Sequence, residues 1–258
     1  MAYFRRTGAT TFQPTEHVGG AWKTDEQHVA PTLGLLAHLV EADREERGRD
    51  DLAATRLTFD ILGPYRLEEM TTHVRVVRPG RGVELVQADV ACGGRPVVTL
   101  RAWLTAVGDT QALAAGAPAP LPRPDDTPPW DPTSDWPGAF VASIEVRRTL
   151  AEPGRGTVWV RTGHDLVEDE EVGRLARTVG LFDVANGMSV RADPQKVAFP
   201  NVDLSAHLHR APAGGWLGLD TSVVFGADGA GLTSSVLHDE RGAFGVLAQG
   251  LVVRALDA

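Results

Sequence analysis

Between Gly108 and Gly138 the chain loses all periodicity and carries eight prolines, from Pro118 through Pro137, together with Asp125, Asp126, Asp131 and Asp135. A segment of this kind enters neither a sheet interior nor a helix, so it reads as an extended linker. It divides the 258 residues into two lobes, about 1–107 and 139–258. Either lobe is long enough to bury a core of its own.

In the first lobe Pro31 stands where a helix can start, and Leu33, Leu36, Ala37, Leu39 and Val40 give it an apolar face of about four turns, ending before the charged tail Glu41–Gly48. Strand-like stretches follow at Ala54–Leu62, Glu69–Arg78 and Val83–Ala106, the last broken at Cys92-Gly93-Gly94. The second lobe opens with strands at Phe140–Thr149 and Gly156–Arg161. The acids Glu168 to Glu171 then lead into a helix carrying Val172, Leu175, Ala176, Val179, Leu181 and Phe182. Strands at Asp203–Arg210, Gly215–Phe225, Gly231–Leu237 and Gly245–Arg254 complete it. The halves can be laid on each other without gaps, Leu57–Pro64 on Ser205–Pro212 and Gly94 on Gly242, which sets Thr55 against Asp203 and Arg101 against Gln249. A duplicated strand–helix–strands unit follows, each half curling an antiparallel sheet around an apolar helix.

Bulk properties narrow the function. A net charge of −9 argues against a nucleic-acid footprint, and no run of about 18 apolar residues is present to span a bilayer. The N-terminus, Met1 to Arg6, passes into Thr, Gly and Gln instead of an apolar stretch, and the single Cys92 suits a reducing compartment, so a cytoplasmic protein is expected. His207 and His209 are two apart on one strand, with His238-Asp239 as a third contributor, but their spacing matches no established metal motif, and no metal is expected. The Gly-x-Ser-x-Gly elbow of serine hydrolases is absent. Asn186-Gly187 reads as a helix C-cap in the left-handed region.

Several stretches carry a family likeness: Asp183-Val-Ala-Asn-Gly-Met-Ser189, Pro200-Asn-Val-Asp-Leu-Ser-Ala-His-Leu-His-Arg210, Trp216-Leu-Gly-Leu, Leu237-His-Asp-Glu-Arg-Gly242, Gln249-Gly-Leu-Val-Val-Arg254, and in the first lobe Gly20-Ala-Trp22 and Gln27-His28 before Pro31. With them the chain resembles the double hot-dog acyl-CoA thioesterases of the bacterial medium- and long-chain type, over nearly all of its length outside the linker. The resemblance implies an α+β fold, a tandem hot-dog of two antiparallel sheets, each wrapped around one long helix. It implies an acyl-CoA substrate hydrolysed by directed water attack without a cofactor, with the exposed sheet edges suited to homo-oligomers.

In that family an Asp at the start of the strand after the second helix, a Thr or Ser in the next strand and a Gln in the last strand orient the water. The resemblance puts the Asp at Asp203 and the Gln at Gln249. The hydroxyl position, counted from Trp216, falls at Val224, with Thr221 and Ser222 nearby. His28, Thr32 and Gly34, at the start of the first helix, are the expected substrate-binding set. A hydratase of this fold would need a His five residues after the Asp, where Leu208 stands. The alternative to an enzyme is a catalytically silent acyl or acyl-CoA binding protein on the same scaffold, favoured by Val224 as Asp203 and Gln249 favour the enzyme.

Overall fold

The computed structural model describes residues 1–256. In the first half, strands β1 (Ala2–Arg6) and β2 (Thr11–Pro14) precede helix α1 (Val29–Glu46). Strands β3 (Leu52–Ile61), β4 (Met70–Arg78), β5 (Val83–Cys92) and β6 (Arg95–Ala106) follow. The second half contains β7 (Pro129–Trp130), α2 (Ala139–Ala142), β8 (Ile144–Glu152), β9 (Arg155–Thr162), β10 (Asp165–Val167), α3 (Arg174–Val179) and α4 (Ala185–Met188). It continues through β11 (Val197–Ala198), β12 (Asp203–Leu208), β13 (Leu217–Phe225), β14 (Ala230–Asp239), β15 (Gly242–Val252) and β16 (Arg254–Ala255).

The architecture is α+β, but the expected pair of sheets is one continuous sheet, with β11 and β16 forming a separate two-stranded pair. Among the described residues 14 strands join edge to edge, because β3 and β12 pair antiparallel at the centre and weld the halves. Alternation along β3 and β12 turns Leu57, Phe59, Leu204 and Ala206 inward, onto the core beneath the helices.

The expected pair of long helices is also only half present. Helix α1 has 18 residues and is apolar and buried from Ala30 through Val40, and it extends through part of the charged tail. Pro31 sits in its first turn, where a missing N–H costs nothing. The second helix is broken into α3 of 6 residues, a 3-10 turn at Phe182–Val184 and α4 of 4 residues. Its start moves to Arg174, because the acids expected to lead it serve β1 instead: Glu168 pairs with Arg5, and Glu170 with Arg6 and His38. Neither Asn186 nor Gly187 has a positive φ. The two helices cross at Gly34 and Gly180, where a Cβ on Gly34 would stand 2.9 Å from the Ala176 carbonyl oxygen and 2.9 Å from Gly180 Cα.

The Pro-rich segment has two characters. Residues 111–120 are exposed, as an extended coil would be. From Pro122 on it is packed against the second half. The Trp159 indole donates to the Pro122 carbonyl at 2.9 Å, Pro124, Thr127, Pro132 and Trp136 are buried, β7 pairs with β8, and Arg148 stacks on Trp130 at 3.4 Å. Proline suits such an edge because it asks for no ladder donor on its outer side.

Candidate functional site

A cavity of about 600 Å³ opens between the halves, with the start of α1 on one side and the 3-10 turn, α4 and the approach to β12 on the other. Asp183 stands at its wall. Its neighbours Phe182, Val184 and Ala185 are buried apolar residues, so the turn is held by packing and the carboxyl is carried inward with it. The tight winding brings Asn186, three residues on, to the same cavity.

Two amide side chains hold this carboxyl by one oxygen. Asn201 Nδ2 donates to Asp183 Oδ1 at 2.7 Å and Gln249 Nε2 donates to the same atom at 3.0 Å. The other oxygen, Oδ2, has no hydrogen-bond partner among the described residues and faces His28, whose Nδ1 is 3.8 Å away. Burial pushes the Asp183 carboxyl up to about 7, against the two amide donors, which favour the charged form. Burial also pushes His28 down to about 4, so at neutral pH the imidazole is uncharged and gives Asp183 no counter-charge.

The expected residues do not all converge here. Gln249 does: it is fully buried, inward-facing with Leu247 and Leu251, and touches the acid. His28 does too, as the N-cap of α1 at the cavity wall. Asp203 does not. It lies beside Gly250, on the outward phase of β12 with Ser205 and His207, and its Oδ1 accepts the Gly250 N–H at 2.7 Å. Gln249 is on the inward phase, so the two side chains are on opposite faces of the sheet. The gapless overlay of the halves slips by one residue at this point. It matches buried Leu57 with outward Ser205, and a slip of one exchanges the faces.

The hydroxyl candidates also lie elsewhere. Val224 and Ser222 face outward, Val224 being 55% exposed, while Thr221 is buried and bonded to Ser235 Oγ at 2.8 Å. Beside Asp183 stands the amide of Asn201, with no hydroxyl among its hydrogen-bond partners in the described residues. Thr32 is enclosed in α1 and accepts from Tyr65 Oη at 2.8 Å, and Gly34 is the helix crossing, so neither reaches the cavity. His207 and His209 are exposed while His238 is buried, which separates the histidines considered as a metal set.

Asp183 was not among the expected site residues, although it is the one acid in the apolar run Leu181-Phe-Asp-Val-Ala185. Burying a carboxyl costs several kcal/mol unless it is partnered or neutralised, so an acid in such a run is a signal of function.

Residues 18–105 match the acyl-CoA thioesterase N-terminal domain family, and residues 119–253 match the acyl-CoA thioesterase C-terminal domain family. No curated protein matches the chain. Among solved structures it is similar to a conserved protein of unknown function with a hot dog fold from Alicyclobacillus acidocaldarius, at TM-score 0.74 and 13% identity over 98% of this chain and 96% of that one. It is similar to the acyl-CoA thioesterase II TesB2 of Mycobacterium marinum, at TM-score 0.64 and 16% identity over 99% and 96%. It is also similar to the tesB protein of Mycobacterium avium subs paratuberculosis, at TM-score 0.65 and 16% identity over 97% and 95%. At these identities the likeness establishes a hot-dog fold.

Proposed function

This chain belongs to the acyl-CoA thioesterase family, and we propose that it hydrolyses an acyl-CoA with Asp183, not Asp203, as the proton acceptor. The observation that carries the reading is the asymmetry of the Asp183 carboxyl: one oxygen is held by two amides and the other is open beside the cavity. An acid so fixed has one basic lone pair to offer, aimed where a substrate can reach it. Its pKa near 7 matches proton transfer at neutral pH.

In this mechanism ionised Asp183 takes a proton from water through Oδ2 as the water oxygen bonds to the thioester carbon and the carbonyl electron pair moves onto oxygen. The tetrahedral adduct collapses, the C=O bond re-forms, and the C–S bond breaks. The departing thiolate takes the proton back from Asp183, and the carboxylic acid product loses its own proton to solvent. Asn201 and Gln249 keep the carboxyl from rotating, while Ala21, Trp22, Val29 and Met188 offer the cavity an apolar wall for the acyl chain. Lys23 and Arg254, at the same cavity, are cations for the anionic CoA end.

The silent-binder reading rested on Val224, whose outward side chain does not meet Asp183. Free thiol released from a panel of acyl-CoAs by the parent and by Asp183→Asn decides the matter. Turnover in the parent and a fall of about 100-fold or more in the variant are expected. A parent that binds acyl-CoA without releasing thiol would replace the enzyme with a binding protein.

A further inference from the structure

The start of α1 is unusually short of backbone donors. A helix leaves its first four N–H groups without intrahelical partners, and these are the usual means of stabilising a negative charge at a helix start. Here they are those of His28, Val29, Ala30 and Pro31. The His28 N–H donates to the Val18 carbonyl at 2.8 Å, the Ala30 N–H donates to His28 Nδ1 at 3.2 Å, and Pro31 has no N–H. Only the Val29 N–H remains, whereas an oxyanion is ordinarily held by two or more donors.

The cap that consumes the Ala30 N–H also fixes the imidazole tautomer. With Nδ1 accepting, the proton of a neutral ring resides on Nε2. Among the described residues Nε2 has no hydrogen-bond partner, yet it is not a sealed atom of the interior, so it retains contact with open space, and His28 lines the cavity. The Phe140 ring lies against the imidazole, centroids 4.4 Å apart, and limits its rotation. The ring is beside the acid, with Nδ1 3.8 Å from Asp183 Oδ2.

We propose that His28 Nε2–H, together with the Val29 N–H, holds the thioester carbonyl oxygen and the oxyanion that develops on it, making His28 a catalytic residue from the half that carries no catalytic acid. This rests on the thioesterase reading above. His28 transfers no proton in this role: it stays neutral and donates a hydrogen bond that shortens as charge builds on the oxygen.

Two substitutions separate this from a purely structural cap. His28→Ser keeps a good capping oxygen for the Ala30 N–H but has nothing at the Nε2 position. It should retain the parent unfolding midpoint and lose about 100-fold in kcat, with KM within a few-fold. His28→Gln puts an N–H where Nε2 was but caps poorly, so it should lose stability and keep most of the turnover. A structural cap predicts the reverse pattern, Ser active and Gln impaired only as far as it unfolds, and that result would overturn the proposal. Nitrogen NMR of the imidazole in the parent gives a reading independent of activity: the proton should be on Nε2 across neutral pH, and a proton on Nδ1 would also overturn it. Absence of parental turnover would sink the thioesterase reading, whereas a fully active His28→Ser in an active parent would sink this proposal alone.

Discussion

At the residue scale, Asp183 ties stability and activity together through one proton. Its carboxyl is raised from the ordinary range to about 7, so the folded state prefers it neutral. The stability this contributes is complete below the unfolded value near 3.8 and is lost as pH rises through about 7. Activity moves the opposite way, because only the ionised form accepts a proton. kcat/KM should therefore rise with pH through about 7, and Asp183→Asn should remove that limb along with most of the rate. The same variant should equal or exceed the parent in urea resistance at about pH 8, where the parent must bury a charge. A parent profile flat across neutral pH would remove Asp183 from the proton-accepting role.

At the scale of the element, sequence pattern revealed the long strands, β3 to β6, β8, β9 and β12 to β15, and the alternation along β3. It missed β1, β2, β7, β10, β11 and β16, which are short strands, most of them paired with partners distant in sequence. The resemblance points to Gln249, and the structure sets that side chain inward against Asp183. The resemblance also points to Asp203, but the position of an acid at a strand start says nothing of its face, and Asp203 lies on the outward one. Asp183 is hidden for another reason: the apolar spacing from Val172 to Phe182 predicts one continuous helix, whereas the chain winds into a 3-10 turn at Phe182–Val184. The break is tied to the helix crossing at Gly34. Gly34→Ala should cost about 1–3 kcal/mol in urea unfolding, the scale of overpacking, since its methyl would meet backbone on both sides. Unchanged stability would mean that α1 and α3 can separate freely.

On the scale of the whole molecule, the proline-rich segment joins two halves that share one sheet and one cavity. Its exposed part tolerates change. A short Gly-Ser insertion after Ala115 should leave the urea midpoint within the small loop-closure cost, about 0.6 kcal/mol for a doubling of length. Its packed part should not. Trp136 is buried, donates to the Gly187 carbonyl at 2.8 Å and meets Trp22 edge-on at 4.8 Å, so Trp136→Ala should cost about 3 kcal/mol and weaken acyl-CoA binding with it. If the insertion proved the costlier of the two, the assignment of coil and packed edge would be reversed.

The first strand imposes an order on assembly. β1 pairs with β2 along one edge and takes a parallel partner from β10 along the other, Ala2 beside Asp165 and Phe4 beside Val167, so this second edge stays open until β10 has been made. During that interval the β1–β2 hairpin, which carries Tyr3, Phe4 and Phe12 of the core, lacks one of its neighbours. A chaperone that shields the open edge of β1 would therefore be needed until β10 arrives, longer than for a hairpin whose partners are all adjacent in sequence.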